Sequence, residues 1–534
     1  MKLIHTLSIA SLLSLSVGPR AQAQDLQWLH SEPVGWTLNY QMPNHQVRAS
    51  HNGQVSATRG LGPGFSFGVD IFSSIAVDRV DPLSGVPTAT CQMGDSLVVE
   101  SMVVADDGTT YVAGRFIGTL EFGGGSTLAG APGFLVDHLF LAAFAPNDLS
   151  LLWARDLSLD HPDAYHVPAL EIDANGTVWY GLEQYSVIHL ISLGALGVDE
   201  QDIPFNGTRS LGGFAFDPWN NVYVTGSCED ILGPLSFGGL SVPQTETYGL
   251  FVLRMRANGA GHWAAIAHAE TFHDPDIVVD PSGNAFVSSA IMSATALGNV
   301  QFHGPNWLND VILAKVDSTG DFLWGVESAP AGGAILGDMS QSRMMGLACD
   351  GAGNIHFTGT ARGETDWGNG VTTTVLTLGA YAQTIVSFSG DGTPQWAMTS
   401  EPSALNAQSI ACDDAGAIYF TGHANGSFGM NGSMVNTGGG QAFIDGRIDG
   451  LSTAVRTDAS SLVLRAWPTP AQDQVCVSVP ASQRGTYMLF ASSGRIVQQG
   501  ALQPGVNTIA LAHLPAGIYV LRTAAGEAIR ITKN

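Results

Sequence analysis

Asp350-Gly351-Ala352-Gly353-Asn354-Ile355-His356-Phe357-Thr358-Gly359 is the stretch that decides the fold. Its first half is a turn. Asp and Asn satisfy backbone groups within a turn, and Gly supplies positive φ. Its second half is β-branched and aromatic, as strands prefer. The pattern returns along the chain. It reads Asp107-Gly108-Thr109-Thr110-Tyr111-Val112-Ala113-Gly114, then Asp173-Ala174-Asn175-Gly176 with Val178-Trp179-Tyr180-Gly181. It reads Asp217 with Val222-Tyr223-Val224-Thr225-Gly226, then Asp280-Pro281-Ser282-Gly283-Asn284 with Ala285-Phe286-Val287. The last copy is Asp414-Ala415-Gly416-Ala417 with Ile418-Tyr419-Phe420-Thr421-Gly422, and Asn52-Gly53-Gln54-Val55 is a degenerate first one. Apolar runs such as Phe214-Ala215-Phe216 and Ile277-Val278-Val279 lead into the turns, so each copy is a β-hairpin.

Two more elements recur in order. One is Phe-Gly: Phe122-Gly123, Phe237-Gly238, and the variant Phe302-His303-Gly304. The other is a strand carrying tryptophan, at Trp153, Trp263, Trp324 and Trp396. Each unit then holds four strands and recurs about every 45–70 residues, the signature of a β-propeller. The final unit, ending near residue 447, has no Trp strand. Leu26-Gln27-Trp28-Leu29 is an orphan Trp strand at the other end of the array. Pairing the two removes an exposed sheet edge, so the ring is expected to close there.

Through these motifs residues 26–450 resemble the secreted bacterial β-propeller proteins with the pattern D-x-x-G-N-x-Y-V-T-G, F-G, G-x-x-x-W-A. The third copy lacks the Phe-Gly and Trp elements, and the first lacks a clear Asp turn. Seven blades are preferred, with six and eight as alternatives. The resemblance implies a scaffold rather than an activity.

Composition agrees with a turn-rich, exported chain. There are 65 glycines in 534 residues, and only 13% of residues are charged. The net charge of −25 gives no basic footprint for nucleic acid or an anionic membrane. Cations and neutral hydroxyl-rich ligands stay open. Lys2 and His5 precede an apolar run over residues 7–17, and Ala21-Gln22-Ala23 supplies a cleavage site, so residues 1–23 read as a signal peptide. That run is too short for a transmembrane anchor, and no later one is long enough. Cys91, Cys228, Cys349, Cys412 and Cys476 form no C-x-x-C pair. Cys349 and Cys412 occupy matching repeat positions, each just before an Asp.

The repeats stop near residue 450, and residues 451–461 read as a linker. From residue 462 to 534 the alternation of Val475, Val477 and Val479 against Cys476 and Ser478 suits a small immunoglobulin-like β-sandwich. Trp467-Pro468-Thr469-Pro470-Ala471 with Asp473, Ser493-Gly494-Arg495-Ile496-Val497, and Leu514-Pro515-Ala516-Gly517-Ile518-Tyr519-Val520-Leu521 resemble the C-terminal sorting domain of type IX secretion cargo. Thr469 departs from the usual Asn. The resemblance implies the type IX machinery as partner, with delivery via the periplasm to the medium or the cell surface.

No cofactor or metal motif stands out, and none is expected. Gly64-Phe65-Ser66-Phe67-Gly68 fits G-x-S-x-G, but that elbow needs a strand before it and a helix after it. The Asp-rich turns read as turn chemistry rather than calcium ligands, and the sequons at Asn175, Asn206, Asn425 and Asn431 read as loops. The candidates for binding lie in segments that enter inner strands: His161, Asp163 and His166 before one, His273, Asp274 and Asp276 before another. Histidine with carboxylate suits metal binding or acid–base work. Arg209, Asp338 and Arg343 lie in comparable loops. The expectation is a non-enzymatic propeller that binds a glycan or protein, with a secreted hydrolase or lyase as the alternative.

Overall fold

The computed structural model describes residues 24–34, 45–63, 72–130, 137–245, 248–267, 275–304, 310–330, 338–341, 346–375, 381–402, 404–449, 465–467, 471–479, 485–491, 495–503, 505–523 and 528–534. The signal segment 1–23, Ser66 and the linker 451–461 lie outside them. The chain divides into two compact units between Leu451 and Ser452. Strands dominate both, and the helices among the described residues are three short 3₁₀ turns.

The first unit is a ring of seven antiparallel blades. Blade 1 holds Val47–Ala49, Val55–Pro63, Phe72–Val80 and the first half of the long strand Pro87–Val104. The second half of that strand is the inner strand of blade 2, followed by Thr110–Ile117, Asp137–Phe144 and Leu151–Asp156. Blade 3 holds Ala164–Ile172, Val178–Gln184, Val187–Leu193 and Asp199–Asn206. Blade 4 holds Thr208–Phe216, Val222–Cys228, Gly249–Met255 and Gly261–Ala267. Blade 5 holds Asp276–Val279, Ala285–Ile291, Asp310–Val316 and Phe322–Glu327. In blade 6, Asp338–Gln341 and Leu347–Cys349 both pair with Ile355–Gly368, followed by Ala382–Phe388 and Pro394–Thr399. Blade 7 holds Ala404–Cys412, Ile418–Met430 and Ser433–Ile448. Its fourth strand is Leu26–Val34 from the N-terminus, with Trp28 opposite Arg447 and Ser31 opposite Ile444. Each inner strand touches the next, and Ala404–Cys412 touches Val47–Ala49, so the circle is complete.

The repeat motif now has a physical account. Asp173, Asp280 and Asp350 each accept two backbone N–H groups, two and four residues on, through one carboxylate oxygen at 2.8–2.9 Å. The other oxygen serves the blade: Asp280 meets Lys315 at 3.2 Å, and Asp217 in the equivalent turn meets Arg254 at 3.0 Å. The glycine that closes the motif sits opposite a bulge. Gly114 pairs with Val99 and Gly226 with Leu211, where the inner strands bulge. A Cβ there would run into the carbonyl oxygens of Val98 and Ser210.

Four of the five named outer-strand tryptophans pack on a turn of the next blade, while Trp396 stacks on His356 of its own blade. Trp28, Trp153, Trp263 and Trp324 cover Gly85, Gly197, Gly320 and Gly392, where a Cβ would lie 2.6–2.9 Å from the indole. The Phe-Gly element differs from expectation. Phe122, Phe237 and Phe302 lie in small hairpins inserted between second and third strands, outside the four-stranded core.

The second unit is two sheets. One is Arg465–Trp467, Gln474–Val479 and Gly505–Ala510; the other is Ile496–Leu502, Gly485–Ala491, Gly517–Thr523 and Ala528–Lys533. Val475, Val477 and Ile509 from the first meet Leu489, Leu502, Leu521 and Ile531 from the second in one buried core. Val475 and Val477 are buried and Cys476 between them is not, as the alternation requires.

Candidate functional site

Inner-strand bulges explain where several polar residues go. A bulge leaves an N–H out of its own ladder, and the neighbouring blade supplies an acceptor for it. Val167 N–H donates to Glu100 at 2.8 Å, Leu347 N–H to Asp276 at 2.9 Å, and Ala407 N–H to Thr360 at 2.9 Å. Val47 N–H, at the start of its unbulged strand, donates to Ser409 at 2.7 Å across the ring closure.

The structure therefore disperses the expected site residues. His166 Nδ1 lies 2.7 Å from Glu100 Oε1, and Arg115 Nε lies 2.6 Å from the same oxygen. Burial works to raise the Glu100 carboxyl, but the His166 hydrogen bond and charge, with Arg115, hold it below the ordinary range. Burial works against His166 charging, and Glu100 outweighs it and raises its pKa. His161 belongs to a different group. Its Nε2 lies 3.2 Å from Asp199, beside Arg155 at 2.7 Å, and the Tyr180 hydroxyl donates to Asp199 at 3.0 Å. Asp163 is exposed. Asp276 is buried in blade 5, bound to Leu347 N–H of blade 6. His273, Asp274 and Arg343 lie outside the described residues. No described hydrogen bond or ion pair joins His161, Asp163 or His166 to Asp276.

A cavity of about 370 Å³ opens where the inner strands end. Val103, Glu171, Ala215 and Val278 line it from blades 2 to 5, Cys349 from blade 6, and His51 and Asp106 from the turns. Glu171 is the charged group that the inner strands bring to its wall, and Arg48, whose Nε donates to Met102 O at 3.1 Å, precedes the lining residue Ala49. Arg48 and Glu171 occupy the same place in their blades, and the other five blades put Val103, Ala215, Val278, Ala348 and Ala411 there. Burial pushes the Glu171 carboxyl up to about 7, with Arg48 opposing and Asp276 adding to the rise. Burial likewise raises Asp276 to about 6, against the Leu347 N–H and Arg48. Burial raises the thiols of Cys349 and Cys412, which keeps them protonated. Among the described residues, no group of three or more His, Cys, Asp and Glu is placed to hold a metal ion. Arg48 and Glu171 escaped the sequence reading because their pairing needs blade register. The signal was there: each stands two residues before its turn, where other copies are small or apolar.

The fold defines a seven-bladed β-propeller followed by a β-sandwich. Residues 465–534 match the Secretion system C-terminal sorting domain, so this chain carries a type IX sorting domain. No curated protein matches the chain in sequence. Among solved structures it is similar to virginiamycin B lyase from Staphylococcus aureus, both a catalytically inactive variant with quinupristin and a selenomethionine-substituted form. The first is 10% identical over 78% of this chain and 98% of that chain, with a TM-score of 0.35. The second is 10% identical over 79% and 99%, with a TM-score of 0.34. A protein of unknown function from Bacteroides caccae is 11% identical over 51% and 93%, with a TM-score of 0.21. The sorting domain implies handling by the type IX machinery and export out of the cell or to its surface. No helix among the described residues is long and apolar enough to cross a membrane.

Proposed function

We propose that this chain is an exported binding module whose propeller takes its ligand at the channel mouth beside Arg48 and Glu171. Residues 1–23 direct it to the periplasm, and residues 462–534 hand it to the type IX machinery. The observation that carries the binding reading is the asymmetry of the channel: one cation and one carboxyl stand in a ring position that is otherwise Val or Ala. Five blades do without either charge, and burial makes the Glu171 carboxylate a cost to stability, while Arg48 also donates to Met102 O of blade 2 at 3.1 Å. A glycan array on the purified mature chain tests this. Binding of at least one glycan that Arg48→Ala and Glu171→Gln abolish supports it, and an array in which no glycan depends on these two residues refutes it.

One observation favours a second reading, a hydrolase or lyase. A carboxyl titrating near 7 in a partly enclosed cavity suits general acid–base work at neutral pH. Turnover in a broad hydrolase screen that Glu171→Gln abolishes would select this reading over simple binding.

A further inference from the structure

A second cavity, of about 290 Å³, lies at the ring closure between blades 7 and 1. Its floor is apolar: Val47, Val55, Ala57 and Val80. Trp28 and His30 of the N-terminal strand form one wall, with ring centroids 5.2 Å apart. Its charged groups come from both blades. Arg59 Nε donates to Asp78 at 2.6 Å, and its NH1 reaches Glu32. His45 Nε2 lies 2.8 Å from Asp445 Oδ1. Asp78 is 3% exposed and Asp445 28%.

Register shows how unusual these charges are. The position of Asp78 holds Ala142, Ile191, Leu253, Ala314, Val386 and Gly446 in the other six blades. The position of Asp445 holds Val77, Leu141, Leu190, Val252, Leu313 and Ile385. Arg59 stands where four blades carry the motif glycine: Gly114, Gly226, Gly359 and Gly422. Ala57 stands where the others carry Val112, Tyr180, Val224, Val287, Phe357 and Phe420. At this one junction the packing residue is reduced to a methyl and three apolar or glycine positions become charged. An apolar pair packs such a junction at least as stably as a buried ion pair, and the other positions of the ring use one. The pairs Arg59–Glu32 and His45–Asp445 cross the closure, and packing alone does not call for charge at these positions.

We infer that this cavity is a binding site for a neutral saccharide of one or two rings. A hydroxyl both donates and accepts, and the cavity offers both: guanidinium and imidazole N–H against the Glu32, Asp78 and Asp445 oxygens. An anionic ligand would meet three carboxylates, and for a cationic one no carboxylate stands without a partner, since Glu32 and Asp78 pair with Arg59 and Asp445 lies 2.8 Å from His45. The apolar floor and the Trp28 wall suit the C–H face of a sugar ring. The ligand would bridge the N-terminal strand to blade 1. The site is separate from the channel, so either assignment stands or falls without the other.

The test titrates the mature chain with glucose, galactose, mannose, xylose, N-acetylglucosamine and their β-linked disaccharides, using saturation-transfer NMR and calorimetry. At least one is expected to bind. Arg59→Gly, which restores the residue most other blades use, is expected to weaken it by about tenfold or more, the scale of losing a charge-assisted hydrogen bond. Asp445→Asn keeps the side-chain shape and is expected to weaken it too, while Glu121→Gln, on an exposed hairpin of blade 2 outside both cavities, leaves it intact. No binding by any of the sugars, or equal binding by wild type and both cavity variants, overturns the inference. A fall in melting temperature in the variants with no sugar bound by the wild type also overturns it, because the charges would then serve closure alone.

Discussion

At the scale of single residues, Glu171 makes the sharpest claim. Its carboxyl titrates near 7 in the folded ring and at 4.5 ordinarily. The unfolded chain releases this proton first as pH rises. The folded state then holds the extra proton, so its stability falls between about pH 4.5 and 7. Asp276, raised to about 6, adds to the same slope at lower pH. Glu171→Gln should therefore stabilise the protein at pH 8 and do little at pH 4, as followed by urea unfolding of the mature chain. An equal effect at both pH values would contradict the placement of Glu171 in a low-dielectric channel. Glu100 behaves in the opposite sense, because His166 and Arg115 hold it ionised. Two inner-strand carboxyls, Glu100 buried and Glu171 half-buried, thus diverge through their partners.

At the scale of elements, the clasp dominates. Leu26–Val34 pairs with Ser433–Ile448 along its length, and Trp28 Nε1 donates to Pro82 O at 3.0 Å. Removing residues 24–34 uncovers an edge strand and the side of the blade-7 core that Leu26 and Leu29 cover. Such a chain should melt several degrees lower and aggregate in calorimetry, a loss of roughly the kind expected from deleting packed aromatic and aliphatic side chains. An unchanged melting profile would mean the ring closes without its fourth strand. This scale was also the most legible in the sequence. The Asp turn, the strand after it and the Trp strand are local signals, and turn chemistry and side-chain alternation fix them. The Phe-Gly element was legible as a recurrence but not as an inserted hairpin, because its packing onto the blade is non-local. His161 and Asp163 precede the inner strand Ala164–Ile172, and His166 lies within it. Their partners, Asp199 for His161 and Glu100 for His166, lie tens of residues away along the chain. Arg48 with Glu171, and Arg59 with Asp445, lie further apart still. Only blade register brings those groups to one place.

At the scale of the whole molecule, two units divide the labour. The ring offers a channel mouth and a cavity at its closure, each distinguished by charge at positions that the other blades leave apolar. The C-terminal sandwich carries the Leu514-Pro515-Ala516-Gly517 turn, with Leu514 buried and Tyr519 hydroxyl donating to Pro515 O at 2.7 Å. That bond ties the turn to the sheet. The most direct test of the account is to delete residues 465–534 in a host with a working type IX system and measure the protein in periplasm, cell surface and medium. The account predicts folded propeller retained in the periplasm, while the intact chain leaves the cell. Equal export of the shortened chain would contradict it.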